Sequence, residues 1–330
     1  MSNGILIYSE ITMDDYIHTV VFELANKARE LAQKLNGAPV MALLLVKPEL
    51  INDYKEAFRN SGFDKVFYVV NEKFSTYKTD LFANAAVQAV KQIDPEIMLI
   101  GATCNGRDIA PRISTALNTG LTADCTGVDI LENGKFAATR PTFGGQLMAT
   151  ILSKNTPQMA TVRPKVFKPA TENNVKDTSF IKLSVNLDGF EEKIKVLDVI
   201  RQSAKSINDL DSAEIIVAGG RGMQNKEGFE LLQKLADKLG GTVAASRVAV
   251  EMGLAPQEIQ VGQTGKTVSP KLYIACGISG ALQHTIGMNC SKKIIAINTD
   301  KSAPIFDICD YGIVGDAFEI IPQLIEELSL

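Results

Sequence analysis

The sequence predicts an α/β protein of two doubly wound domains, each built on a mainly parallel sheet. Short apolar runs alternate with amphipathic stretches of helical period through the first hundred residues. One run, VMALLLV at 40–46, is apolar at every position, as a strand buried on both faces of a parallel sheet requires. The alternation resumes after a polar stretch at 166–212, and 330 residues is longer than single cores usually grow.

The elements follow in order. Residues 5–8 form the first expected strand. Over 17–35, Val20, Val21, Leu24, Ala28, Leu31 and Leu35 recur near the 3.6-residue period, so a helix is expected, with Gly37 as its C-terminal cap. A strand at 40–46, a short helix at 50–60, a strand at 66–70, a helix at 79–92 and a strand at 97–100 come next. After Gly120 the runs shorten, with turn signals at Asn133-Gly134, Gly144-Gly145 and Asn155-Thr156-Pro157. Asn133-Gly134 suits a tight hairpin because both residues tolerate positive φ. The stretch 122–165 therefore reads as mixed, partly antiparallel strands, with a further strand at 180–187. The expected boundaries are 1–190 for the first domain, 191–212 for a linker and 213–330 for the second domain. In the second, strands are expected at 214–218, 272–275, 294–297 and 313–314, and helices at 226–238, 280–286 and 318–328.

Composition narrows the function. The net charge is −4, there is no Trp, and no Lys/Arg cluster is present, which argues against nucleic acid as a partner. No run reaches the roughly 18 apolar residues that span a bilayer, so no membrane insertion is expected. The N-terminus lacks a secretory pattern, and a cytoplasmic location is expected. Five cysteines without a CxxC pair and two histidines argue against a disulfide framework, a zinc site or an iron–sulfur cluster. Redox chemistry would then fall to an organic cofactor, with no metal.

Four segments of the last third place glycine beside hydroxyl, amide or basic residues at expected strand ends, where open α/β sheets bind ligands. VAGGRGM (217–223) follows a strand. It reads either as a phosphate loop carrying Arg221 or as a tight turn that needs positive φ. ASRVAVEMG (245–253) places Ser246 and Arg247 at a site or on the surface. QVGQTGKTVSPKLYIACGISGALQH (260–284) is the densest polar segment. Its GKT resembles the end of a P-loop, but the required glycine five residues earlier is Gln260, so the nucleotide-triphosphatase reading fails. After the strand LYIAC, a helix start near Ser279-Gly280 would offer amides to an anion, and His284 lies about one turn further on. In AINTDKSAPIFDICDYGIVGDAFEIIPQL (296–324), Asn298, Asp300 and Asp316 suit ribose or adenine recognition, or, for Asp316, helix capping. No GxGxxG fingerprint is present.

These strings closely resemble the α subunit of electron-transfer flavoproteins, in a version common in anaerobic bacteria. The resemblance extends upstream through GATCNGRDIAPR (101–112), GLTADCTG (120–127), RPTFGGQLMATI (140–151) and PQMATVRP (157–164), and so covers most of the chain. It implies a flavodoxin-like, DHS-like second domain that binds FAD, a β subunit contacted by the first domain, and an acyl-CoA dehydrogenase or similar dehydrogenase as redox partner. Some relatives bifurcate electrons from NADH with ferredoxin, through a flavin in the other chain. Carried over by position, the cofactor-binding set is Arg221, Ser246, Arg247, Gln263, Thr264, Ser279, Gly280, Ala281, Leu282, Gln283, His284, Asn298 and Asp316. The resemblance places Thr264 near flavin N5, Arg247 over the isoalloxazine ring and His284 near the N1/O2 edge. The Glu251-Met252 pair departs from relatives without touching this set. A non-redox adenine-nucleotide-binding module is the rival reading, and it predicts a colourless protein.

Overall fold

The computed structural model of the chain describes residues 3–59, 61–143, 147–169, 178–192, 194–199, 210 and 213–328. It divides into two compact units, the first within residues 1–142 and 147–199, the second built on 213–328. The linker expected at 191–212 falls largely outside the described residues, as does the Gly144-Gly145 turn.

The first unit holds a seven-stranded sheet. Its strands are β1 (Ile5–Ser9), β2 (Val40–Val46), β3 (Lys65–Val70), β4 (Ile97–Gly101), β5 (Leu121–Cys125), β9 (Gln158–Val162) and β10 (Ser179–Lys182), in the order β10-β3-β2-β1-β4-β9-β5 and parallel throughout. Period-two alternation divides each central strand between two cores. Ile5 and Ile7 pack with Leu24 and Leu31 of α1 (Val20–Lys34) and with Phe58 of α2 (Ile51–Phe58). Leu6 and Tyr8 pack with Leu81 and Ala85 of α3 (Thr79–Ile93) and with Ile109 and Ile113 of α4 (Cys104–Ala116). Both faces are covered, which is why these strands read as unbroken apolar runs. A three-stranded antiparallel ribbon, β6 (Gly127–Ile130), β7 (Phe136–Thr142) and β8 (Leu147–Leu152), turns at Asn133-Gly134, where Gly134 takes φ 77°.

Several elements differ from expectation. Helix α1 begins at Val20 rather than 17, because Ile17 bridges Ile11 and the His18 amide donates to the Glu10 carbonyl. Helix α4 was not legible: Pro111 sits inside it, and Asn105, Gly106 and Asp108 dilute its apolar period. The Thr103 side chain caps it, accepting from the Gly106 amide at 2.9 Å. The same hydroxyl donates to the carboxylate of Glu10, which is buried beyond the end of β1. Burial raises the Glu10 pKa. The strand expected at 180–187 is only β10, because pairing with β3 stops at Lys182.

The second unit is a five-stranded parallel sheet of β11 (Ile215–Gly219), β12 (Thr242–Ala245), β13 (Leu272–Cys276), β14 (Ile294–Asn298) and β15 (Tyr311–Val314), ordered β12-β11-β13-β14-β15. Counted within the unit this is 2-1-3-4-5, the flavodoxin-like order, whose switch point lies between β11 and β13. Strand β12 and helix α6 (Arg247–Glu251) were not anticipated, being only four and five residues long. Helices α5 (Lys226–Leu239) and α8 (Ala317–Glu327) bury Leu232, Leu235 and Ile321 against the face of the sheet that carries Val217, Ile274 and Ile297. The helix expected at 280–286 is a single turn, α7 (Leu282–Thr285).

Thr103→Ala removes both the cap of α4 and the hydroxyl on buried Glu10, so it should destabilise the chain by about 2 kcal/mol. Equilibrium denaturation measures this, and a loss under about 0.5 kcal/mol would contradict the assignment.

Candidate functional site

A cleft of about 750 Å³ opens at the carboxyl edge of the second sheet and is lined from all five strand ends. Arg221 follows β11, and Ser246 and Arg247 follow β12. Ser279, Ala281, Gln283 and His284 follow β13. Asn298 and Asp300 end or follow β14, and Asp316 follows β15. Gln260, Gln263 and Thr264 enter from the loop between α6 and β13.

At the switch point two loops pack backbone against backbone. The Gly220 amide donates to the Cys276 carbonyl at 2.9 Å and the Gly222 amide to the Gly277 carbonyl at 3.1 Å. A Cβ on Gly220 would lie 2.2 Å from the Gly277 oxygen, and one on Gly222 would lie 2.7 Å from the Gly277 Cα. Neither Gly220 nor Gly222 takes positive φ. These glycines are therefore required for close approach. The segment does turn tightly, the Met223 amide donating to the Gly220 carbonyl at 3.1 Å, but without the positive φ that the tight-turn reading expected of its glycines.

The loop 260–266 is tied to the rest of the cleft. The Gln263 amide donates to the Gln283 carbonyl at 2.7 Å, and the Gln260 side-chain amide donates to the Thr264 hydroxyl at 2.9 Å. With its oxygen accepting there, the Thr264 hydroxyl is left to donate. Ser246 caps α6, its hydroxyl accepting from the Ala249 amide at 3.4 Å. Asn298 braces the loop after β13 by donating to the Ile278 carbonyl at 2.9 Å, and its side-chain oxygen accepts from the Asp300 amide. Asp316 caps α8 through the Phe318 amide at 2.9 Å, so the capping reading holds for it while it also lines the cleft.

Charge is unevenly placed. The arginines stand on the loops after β11 and β12, the carboxylates Asp300 and Asp316 on those after β14 and β15. Arg221 is exposed and has no ion-pair partner among the described residues. Arg247 Nε pairs with Glu251 Oε1 at 2.8 Å, one turn along α6. Glu251 also lines the cleft, which corrects the expectation that its departure leaves the site untouched.

His284 is 7% exposed, and its Nε2 lies 3.0 Å from the buried Tyr273 hydroxyl. Among the described residues its buried Nδ1 has no hydrogen-bond partner. Burial lowers its pKa to about 4, the pull of the nearby Val261 backbone as a hydrogen-bond acceptor offsetting part of this without reaching good hydrogen-bond geometry, so the ring is neutral at pH 7.

All the expected site residues line the cleft except Gly280 and Leu282. Gly280 takes φ 87°, and a Cβ there would lie 2.2 Å from the Ile305 amide nitrogen, so it shapes the loop from behind. The Leu282 side chain is 45% exposed. Sequence reading missed Gln260, Glu251 and Tyr273. Glu251 lies one helical turn from Arg247, a spacing that could have flagged it, whereas Gln260 meets Thr264 within a loop and carried no such signal. Tyr273 carried no signal beyond membership of a strand.

Two family models match the chain: the electron transfer flavoprotein domain over residues 5–188, and the electron transfer flavoprotein FAD-binding domain over 209–289. An electron transfer flavoprotein subunit alpha of Thermoanaerobacterium thermosaccharolyticum is 48% identical over 94% of this chain and 93% of its own length. This chain belongs to the electron transfer flavoprotein α-subunit family. A second such subunit, from Clostridium acetobutylicum, is 46% identical over 99% of this chain and 97% of its own. The acryloyl-CoA reductase electron transfer subunit beta of Anaerotignum propionicum is 40% identical over 93% and 91%. FAD is the cofactor of the family's second domain. The cleft fits such a group: a backbone cradle that tolerates no Cβ, an unpaired arginine for phosphate, and an unpartnered ring nitrogen on His284.

The buried His284 also makes stability of this flavoprotein subunit depend on pH. Its pKa is about 4 folded against 6.5 for the ordinary side chain. Between these values the unfolded chain binds a proton that the folded chain refuses, so stability falls as pH falls from about 6.5 to about 4. The expected loss is about 3 kcal/mol beyond that of His284→Gln, measured by denaturation at each pH without cofactor. Parallel pH profiles for the two proteins would contradict the assignment.

Proposed function

We propose that the chain is the FAD-bearing subunit of a heterodimer with a β subunit. The pair carries electrons between a dehydrogenase of the acyl-CoA type and a second redox protein. What carries this reading is the convergence of Arg221, Arg247, Thr264 and His284 in one cleft at the carboxyl edge of a flavodoxin-ordered sheet. A relative named as an electron transfer subunit of acryloyl-CoA reductase supports the class of partner.

FAD, when bound, supplies the one-electron chemistry. The chain's residues bind it and set its electrostatics. Arg221, beside the packed glycine loops, is suited to a phosphate. Asn298, Asp300 and Asp316 stand at the other end of the sheet edge, suited to hydroxyl-rich ribose. Arg247 supplies a fixed cation that favours added negative charge on the ring system. Thr264 offers a hydroxyl proton, oriented by Gln260. No group here transfers atoms, in keeping with a carrier.

Reductive titration of the FAD-loaded heterodimer tests the reading. Arg247→Ala should lower the potential of the first one-electron step. The Arg247 side chain is 63% exposed and shared with Glu251, so solvent screening limits the shift. A change on the order of 59 mV, a factor of ten, is the ceiling. An unchanged or raised potential would remove Arg247 from the role, and a heterodimer that takes up no FAD would remove the reading itself.

A further inference from the structure

Tyr273 lies in the middle of the second core, on β13, with 0% exposure. Among the described residues its hydroxyl has one hydrogen-bond partner, His284 Nε2. The two rings are tilted by 58° with centroids 6.2 Å apart, so the hydroxyl meets the edge of the imidazole rather than its face.

Two neutral proton arrangements are open to the pair, and they differ in what they leave unsatisfied. In the first, the tyrosine O–H donates to Nε2, the ring proton sits on Nδ1, and the Nδ1–H alone lacks a partner. In the second, Nε2–H donates to the tyrosine oxygen. Two buried groups then lack partners: the tyrosine proton and the Nδ1 lone pair. Buried polar groups without partners are costly, so the arrangement with fewer of them is preferred. The Val261 backbone acts on the ring in the sense that favours a ring N–H, without satisfying it. Burial disfavours both the imidazolium and the tyrosinate, which leaves the neutral pair.

We propose that Tyr273 is a positioning residue: its hydroxyl donates to His284 Nε2 and holds the imidazole as the Nδ1–H tautomer, leaving a neutral donor for an acceptor atom of the bound cofactor. The tautomer follows from the chain alone, and its use toward a cofactor rests on the function proposed above. A donor of this kind is matched to a carbonyl or unprotonated ring nitrogen. The opposite tautomer would set lone pair against lone pair. Because the group is neutral, it favours charge on its acceptor by dipole only, while the cation assigned above to the ring system is Arg247.

The sequence makes the test simple, because the chain has only two histidines. Full-length protein labelled with ¹⁵N-histidine is studied by long-range ¹H–¹⁵N correlation NMR, with His18→Asn identifying the His284 signals. The wild-type chain should show His284 as a single Nδ1–H tautomer. Tyr273→Phe should lose that preference and populate Nε2–H. Adding FAD to the wild type should move the Nδ1–H resonance. A wild-type Nε2–H tautomer overturns the proposal even if the variant does not fold, and so does a folded Tyr273→Phe with the tautomer unchanged. FAD that binds without moving the resonance overturns the donor role. A chain that binds no FAD, with the tautomer as stated, counts against the proposed function and leaves the tautomer assignment standing.

Discussion

All strands of the second sheet run in parallel, and the site depends on that constraint. A parallel strand can be followed only by a crossover, so every carboxyl end in the unit reaches the same edge. The order 2-1-3-4-5 then separates the loops after β11 and β13 on their way to opposite sides and leaves a crevice between them. Gly220, Gly222 and Gly277 let these two loops meet backbone to backbone before they part. A side chain at Gly220 would push apart the strand ends that define the cleft. Arg221 and the Arg247–Glu251 pair on one flank and Asp300 and Asp316 on the other are consequences of which loop carries which residue.

Within this frame the electrostatics divide by burial. Arg247 is exposed and is paired with Glu251 along one turn of helix. Exposed pairs of this kind are weak, so the guanidinium is available to a ligand at little cost. His284 is the opposite case. It is buried, uncharged near neutral pH and held by a second buried side chain. One residue offers fixed charge and the other a fixed dipole. Gln260 orients Thr264 in a similar way from behind the loop.

Much of this was legible in the sequence where the signal is local. The run 40–46 is a strand over the expected residues because both its faces are covered, and both faces therefore select apolar side chains. The segments around Arg221, Ser279 and His284 fell at strand ends as read, since glycine and polar residues cluster where strands stop, whereas Thr264 lies in the loop between α6 and β13. What escaped was set by distant contacts. Helix α4 is held by packing of Ile109 and Ile113 against the sheet in spite of Pro111. Strand β10 ends at Lys182, opposite Tyr68, two residues before its neighbour β3 does. Tyr273 reads as one more apolar strand residue, and only the fold, by bringing α7 over β13, reveals what its hydroxyl meets.

The most direct measurement is equilibrium dialysis of the purified full-length chain against FAD, with bound flavin quantified by absorbance after unfolding. The account predicts a yellow protein holding one FAD per folded chain. A chain that is folded by circular dichroism and emerges colourless would contradict it.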